Sequence, residues 1–491
     1  MPTFHIEQFG CRATQADAAA IERQLRAQGH DVASSPDRAD VIVINTCTVT
    51  GAADSQARDA IRKLHAQNPA AKIIATGCYA QRAPEELAAL PGVLHVVGNS
   101  HKPEIPALIT KISPITADST CTGTALLRPN LPGPQELGAN SFLPFSSVND
   151  SPALPKILTA NIFTRSEFLS APVLGGESNH TRPTLKIQDG CNLRCSYCVI
   201  PFVRGKSRSM PPAEVISEIA RLAAAGYKEI VLSGINLGTW GRDLTPRVEF
   251  EDLLRRILDE TDVARLRISS IEPLDVTQDL IALFAATPRI AQHFHMPLQS
   301  ASDKILAAMH RWYRSEHYAR RIELIRDQLP NAAIGADIIA GFPGETAADH
   351  AATLDFIASR PFTYLHVFSY SVRPGTAAES MPNHVPAATI KQRARELRAL
   401  SEKKSAAFRE SQLDTTIQIL TLRHTNESTA TESTAPWTPA ISTNYLQLRL
   451  AGTHAPNQLL RAKITHHKNG ILHASPETET NFAVHHAASR L

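Results

Sequence analysis

Three cysteines stand close together in DGCNLRCSYCVIPFVRG: Cys191, Cys195 and Cys198, with three residues in the first gap and two in the second. Three thiolates leave a tetrahedral structural zinc one ligand short. A cubane iron–sulfur cluster held by three thiolates instead keeps one iron open to a further ligand. The missing fourth cysteine is therefore informative. A zinc ion completed by a distant histidine is the competing reading.

A second set is dispersed. Cys11 follows HIEQFG, Cys47 follows VIVINT and Cys78 follows KIIATG, so each sits just past the carboxyl end of an apolar run that reads as a strand. In an open parallel sheet those ends share one edge and form the binding crevice, so the three thiols could meet around a second metal centre. Each alone is more often a small buried core residue. Cys121 has no such address and is expected to be a free thiol.

The elements that must position these residues fall into three regions, in line with a length of 491 residues. Residues 1–112 alternate short apolar runs (VIVIN, KIIAT, VLHVV) with helical stretches, the pattern of a parallel α/β sheet. Residues 113–180 are rich in Pro, Ser, Thr and Asn without a sustained period and read as an irregular insertion or linker. Residues 181–410 carry TLKIQ, KEIVLSG, ARLRISS, AQHFHM, AIGADIIAG and YLHVFSY, each followed by helical periodicity, which predicts a partial (β/α)6 barrel with its active site at the carboxyl strand ends. A charged helix over Ile390–Glu410 closes that region. Residues 411–480 turn to short alternating segments that predict a small antiparallel β-barrel.

The formal net charge of +3 is weakly basic, so any nucleic-acid partner must be gripped by local patches. The first residues lack the charged start and apolar core of a signal peptide, and no apolar run reaches membrane-spanning length; the reading is a soluble cytoplasmic protein with no membrane partner. In that reducing compartment metal ligation or catalysis, rather than disulfide formation, is the expected use of cysteines in a chain that has seven.

The trio in CNLRCSYC, with Tyr197 just before its last cysteine, resembles the motif of the radical S-adenosylmethionine enzymes. With the three-cysteine α/β domain before it, the chain resembles the methylthiotransferases, and INTCTVTGAADSQARDAIRKLHAQNP and ATGCYAQ look most like the branch acting on N6-threonylcarbamoyladenosine at position 37 of tRNA. SGINLGTWG, RISSIEP, HMPLQSASDKIL, DIIAGFPGET and VFSYSVRPGT extend the likeness through the barrel. One departure stands in GCRATQAD, where Thr14 replaces the family's usual Asn.

The resemblance implies two [4Fe-4S] clusters. One, on Cys191, Cys195 and Cys198, would bind S-adenosylmethionine at its open iron and cleave it to a 5′-deoxyadenosyl radical. The auxiliary one, on Cys11, Cys47 and Cys78, would present a methylated sulfur to C2 of the adenine. It further implies that Tyr197, Gly234, Asn236, Ser269, Ser270, Glu272, Gln299 and Arg204 surround the cofactor. Glycines at strand ends (Gly234, Gly238, Gly341, Gly344) would let the backbone approach it. Arg204, Arg208 and Arg373 could grip a cofactor carboxylate or the tRNA backbone. His295 and Ser300 could hydrogen-bond cofactor or substrate, and the cations of the Ile390–Glu410 helix could neutralise phosphates.

The implied partners are the tRNA anticodon loop, held in part by a TRAM-like C-terminal barrel, an electron donor such as flavodoxin or ferredoxin, and a sulfur donor. The target base would be splayed from its stack to enter. Relatives act on isopentenyladenosine in tRNA or on an aspartate of a ribosomal protein. A zinc-dependent, non-catalytic RNA-binding protein is the alternative outside the class.

Overall fold

Val41–Thr46 (β2) is VIVINT and is buried at every position, the mark of a strand covered on both faces. It lies between Phe4–Gln8 (β1) and Lys72–Gly77 (β3). Val93–Gly98 (β4) and Lys156–Leu158 (β5) continue the sheet in that order, and every pair is parallel. The computed structural model describes residues 1–112, 156–165, 167–174, 181–424 and 436–477; Cys121 lies outside them. Helix Arg12–Ala27 packs Ile21 and Leu25 on Val41 and Val43, while helix Gly51–Gln67 packs Ile61 and Leu64 on Ile42 and Ile44. Alternate residues of β2 thus feed two opposite cores.

β5 corrects the reading of residues 113–180 as irregular throughout. Its sequence is only KIL, and after it Ile162, Leu169, Ala171 and Val173 are buried. A three-residue edge strand is selected by pairing with β4, which no local periodicity announces.

The second region contains Thr184–Lys186 (β6), the short antiparallel pair Gln188–Asp189 (β7) and Arg208–Ser209 (β8), Glu229–Ser233 (β9), Arg265–Ile268 (β10), His293–His295 (β11), Ala333–Ala340 (β12) and Tyr364–Ser369 (β13). Two parallel sheets, β6-β9-β10 and β11-β12-β13, are joined by single parallel bridges at Leu266–Ile290 and Ser270–His295. The result is an open parallel arc, as the spacing of βα units predicts. Alternation along the strands divides its faces: Ile334, Ala336, Ile338 and Leu365 pack outward in the core under the helices, whereas Asp337 and His366 meet on the concave side.

Helix Ala387–Glu410 lies along β13, and several of its cations are engaged by the protein itself. Arg393 pairs with Glu345 (2.6 Å), Arg398 donates to the Val367 carbonyl (3.2 Å) and Lys404 to that of Arg360 (2.7 Å). The expectation that this surplus faces phosphates is corrected for those residues: they dock the helix.

Thr416–Thr421 (β14), Trp437–Ser442 (β15), Gln447–Ala451 (β16), Leu459–Lys468 (β17) and Ile471–Pro476 (β18) close into a barrel in the order β14-β15-β16-β18-β17. The barrel was expected to be antiparallel, yet β16 and β18 run parallel. A closed ring with an odd number of strands must contain at least one such pair. This barrel sits under the amino ends of the arc, where Arg267 donates to the Ser442 and Thr443 carbonyls (3.0 and 3.2 Å) and is itself paired with the buried Glu229 (2.7 Å).

Candidate active site

β1, β2 and β3 are neighbours in one parallel sheet, so the residues just past their carboxyl ends, Cys11, Cys47 and Cys78, line one edge. The loop bearing Cys11 closes tightly on Cys47: Gly10 has φ +99°, and a Cβ there would stand 2.7 Å from the Cys47 sulfur. Thr14 is buried and holds that loop, its hydroxyl donating to the carbonyls of Cys11 (2.6 Å) and Phe9 (3.0 Å). The departure from the family pattern at Thr14 is thus a loop clasp rather than a lost ligand. Burial and the adjacent thiols of Cys78 and Cys11 push the Cys47 thiol up to about 12.

The second trio lies in the loop after β7. The amide of Leu193 (3.4 Å) and Nδ2 of Asn236 (3.8 Å) point at the Cys191 sulfur, and Nη1 of Arg311 stands 3.4 Å from that of Cys195. Burial pushes the thiols of Cys191 and Cys198 up to about 11 and about 12.

The two trios adjoin. Cys78 packs against Val199, which directly follows Cys198, and against Val203 in the short helix after it, and Asn99 donates both to the Cys78 sulfur (3.5 Å) and to the Val203 carbonyl (2.8 Å). Behind them lies a buried charge cluster. Asp17 accepts from Lys102 (2.8 Å), Lys186 and Arg204 (3.1 Å), and Asp189 accepts from Lys186 (3.0 Å) and Arg204 (2.9 Å). Burial alone would raise both carboxyls, but these cations outweigh it and hold both well below the usual range. Asp17 belongs to the first α/β region and Lys186 and Arg204 to the barrel, so the cluster locks the two together. Arg204 of this cluster acts electrostatically on Cys78, Cys11 and Cys47, where thiolates would complement it.

Three arginine expectations are corrected here. Arg204 is buried, its guanidinium spent on Asp17 and Asp189 rather than open to a cofactor carboxylate or a phosphate. Arg208 donates to the carbonyls of Arg204 and Lys206 (3.0 Å each). Arg373 crosses to the first region and pairs with Asp54, which also accepts from Arg82 (3.1 Å). A sequence displays a cation but not the anion that folding brings to it. Ser300 is likewise consumed, by the Thr353 hydroxyl (3.3 Å).

The rim around Cys191 fits an absent ligand. Asn236 Oδ1 and Ser269 Oγ are buried and have no hydrogen-bond partner among the described residues, an arrangement that costs stability unless something polar binds there. Glu272 pairs with Arg311, Gln299 holds a left-handed backbone (φ 63°), and Gly234 lies against Gln188, where a Cβ would come within 3.0 Å. Ser270 is exposed beside them, and Tyr197 packs edge-on to Phe342. Gly238 lies against Asp275, and Gly341 (φ +80°) against Ile390; neither contact involves a cysteine. Arg311 was not found from sequence, because only the fold joins it to Cys195. Among the described residues, neither cysteine trio brings its ligand atoms within 4.8 Å of one another, as only His295, Asp337 and His366 do.

Residues 3–98 match the Uncharacterized protein family UPF0004, and residues 185–357 match the Radical SAM superfamily. Threonylcarbamoyladenosine tRNA methylthiotransferase MtaB of Bacillus subtilis is 36% identical over 82% of this chain and 81% of its own length. The chain belongs to the radical S-adenosylmethionine methylthiotransferases. Membership makes it an enzyme whose cofactors are S-adenosylmethionine and two [4Fe-4S] clusters. The tRNA-2-methylthio-N(6)-dimethylallyladenosine synthase of Sphingopyxis alaskensis, another methylthiotransferase, is 32% identical over 89% of this chain and 91% of its own. The fold is shared with the radical S-adenosylmethionine methyltransferase TsrM of Kitasatospora setae (TM-score 0.52, 15% identity, 77% of each chain). Among the described residues no helix is long and apolar enough to cross a membrane.

Proposed function

We propose that this methylthiotransferase acts on C2 of N6-threonylcarbamoyladenosine at position 37 of tRNA, in the cytoplasm. The observation that carries the reading is the junction of the two thiol trios through Cys78, Val199 and Val203. Bound at these sites, the clusters and S-adenosylmethionine supply one-electron removal of an unactivated aromatic hydrogen and a methylated sulfur to replace it. Cys191, Cys195 and Cys198 would hold the cluster that works with S-adenosylmethionine, and Cys11, Cys47 and Cys78 the auxiliary one.

The unpartnered Asn236 and Ser269 would hydrogen-bond the cofactor, with Gly234, Ser270, Glu272 and Gln299 lining its site. Arg311, beside both Glu272 and Cys195, would fix that carboxylate and offset thiolate charge. Asn99 ties Cys78 to Val203 and would so hold the two cysteine sets near each other, which the reaction requires of partners that must meet. The C-terminal barrel would serve as a TRAM-like grip on the tRNA. An electron donor such as flavodoxin or ferredoxin and a sulfur donor complete the system. The substrate is supported by relatives named for threonylcarbamoyladenosine at 32–36% identity, against 30–33% for those named for dimethylallyladenosine.

The test is nucleoside mass spectrometry of tRNA from a deletion strain before and after complementation with this chain. A methylthio increment restored on threonylcarbamoyladenosine alone supports the reading; restoration on the dimethylallyl nucleoside replaces it.

A further inference from the structure

Three side chains that the cofactor rim does not use converge on the concave face of the arc. His295 Nε2 stands 2.9 Å and His366 Nδ1 3.2 Å from Oδ1 of Asp337, and the three ligand atoms all lie within 4.8 Å of one another. They come from three adjacent parallel strands, in which His295 is paired with Gly335 and Asp337 directly with His366. No loop has to close to bring them together. Both ring nitrogens aim at the same carboxylate oxygen, so the donors crowd one point instead of spreading over the two oxygens of Asp337.

The separations and the donor types both suit an ion. Bonds of about 2.1 Å to imidazole nitrogen and carboxylate oxygen, set at right angles, place neighbouring donor atoms about 3.0 Å apart. Two imidazoles and one carboxylate are a donor set for a divalent first-row transition metal. The surroundings agree. The Tyr364 hydroxyl lies 2.9 Å from His295 Nδ1 and turns Nε2 toward Asp337, as an outer partner orients a ligating histidine. Gly335 gives that tyrosine its place, since a Cβ there would collide with the phenol ring. His293 Nε2 approaches the same hydroxyl (2.7 Å) and backs the tyrosine from outside the group of three; its Nδ1 is buried without a partner among the described residues. Exposure is graded across the ligands, from 6% for the His295 side chain to 56% for that of His366, so an ion has a path in and room for further ligands on the His366 side.

We propose that His295, Asp337 and His366 bind a divalent transition-metal ion, separate from both cysteine trios. His295 Nε2, an Asp337 oxygen and His366 Nδ1 are its ligands, and water or an incoming oxygen ligand fills the open side. Both histidines bind as neutral rings with the proton on the nitrogen away from the ion: on Nδ1 of His295, beside Tyr364, and on Nε2 of His366, whose side chain is open to solvent. A backbone bridge between Ser270 and His295 sets this site next to the cofactor rim.

The experiment is equilibrium dialysis of the anaerobically reconstituted enzyme, cleared of loose metal with a chelator, against zinc, with zinc, iron and sulfide counted per chain. Wild type is expected to hold one zinc with its sulfide unchanged. His366→Ala and Asp337→Asn should each lose that zinc, and Tyr364→Phe should weaken it roughly tenfold, the effect of removing an outer partner. His366 is exposed, so its variant keeps the fold, which circular dichroism checks. Wild type that takes up no zinc overturns the site, as does zinc held equally well by His366→Ala. Zinc gained with a loss of sulfide places the ion on the cysteines and overturns it too.

Discussion

Cys191, Cys195 and Cys198 come from one short loop, and what surrounds their sulfurs is mostly local to the barrel mouth: the Leu193 amide, Asn236 and Arg311. Cys11, Cys47 and Cys78 come from three strand ends, and their edge is braced from afar. Lys102 donates to Asn45 (3.3 Å), Asn45 to the Thr14 carbonyl (2.7 Å), and Thr14 to Cys11, while the same Lys102 shares Asp17 with two cations of the barrel. One trio is a loop that a single segment can carry. The other exists only when two regions are locked together, so its integrity is coupled to the buried charges between them.

The contrast can be broken most severely at the metal. Replacing Cys191, Cys195 and Cys198 together by alanine should remove half of the iron and sulfide of the anaerobically reconstituted protein. Replacing Cys11, Cys47 and Cys78 should remove the other half. Zinc in place of iron, or total loss from either change, would contradict independent sites. Next in size is the lock itself. Asp17→Asn leaves Lys102, Lys186 and Arg204 with less anionic compensation in a dry interior and should cost about 3–5 kcal/mol in urea unfolding. Because the folded Asp17 carboxyl lies below its ordinary 3.8, its stabilisation is present above that value and is lost as pH falls through and below it. Wild type should lose stability in that acid window with a steeper slope than Asp17→Asn.

A third change touches only the local set. Asn236→Ala and Ser269→Ala should each raise the S-adenosylmethionine KM by roughly tenfold, in keeping with one lost hydrogen bond, and leave tRNA affinity unmoved. Smallest of all, Thr14→Val should cost about 1 kcal/mol, read as a shift of the unfolding midpoint, with the three ligand cysteines unaltered. A loss of auxiliary iron from this variant would show that the clasp is needed for metal binding.

What was legible in the chain follows the same division. The loop trio declares itself because residue identity and spacing are both local. The dispersed trio is legible only through topology: three cysteines past three apolar runs that turn out to be adjacent parallel strands. The bracing was not legible. Asp17 and Lys186 are 169 residues apart, and Arg311 and Cys195 are 116 apart, so nothing short of the fold pairs them. For the same reason Arg204 and Arg373 read as free cations until their carboxylates are seen. The strand Lys156–Leu158 and the parallel pair in the C-terminal barrel were hidden because partners, not patterns, decide them.

The central claim is a division of labour between the trios, and one reaction tests it. Reconstituted wild type, Cys78→Ala and Cys198→Ala are incubated anaerobically with S-adenosylmethionine, dithionite, sulfide and tRNA carrying threonylcarbamoyladenosine, and 5′-deoxyadenosine and modified nucleoside are quantified together. The account predicts both products from wild type, 5′-deoxyadenosine alone from Cys78→Ala, and neither from Cys198→Ala. Methylthiolated nucleoside from Cys78→Ala, or 5′-deoxyadenosine from Cys198→Ala, would contradict it.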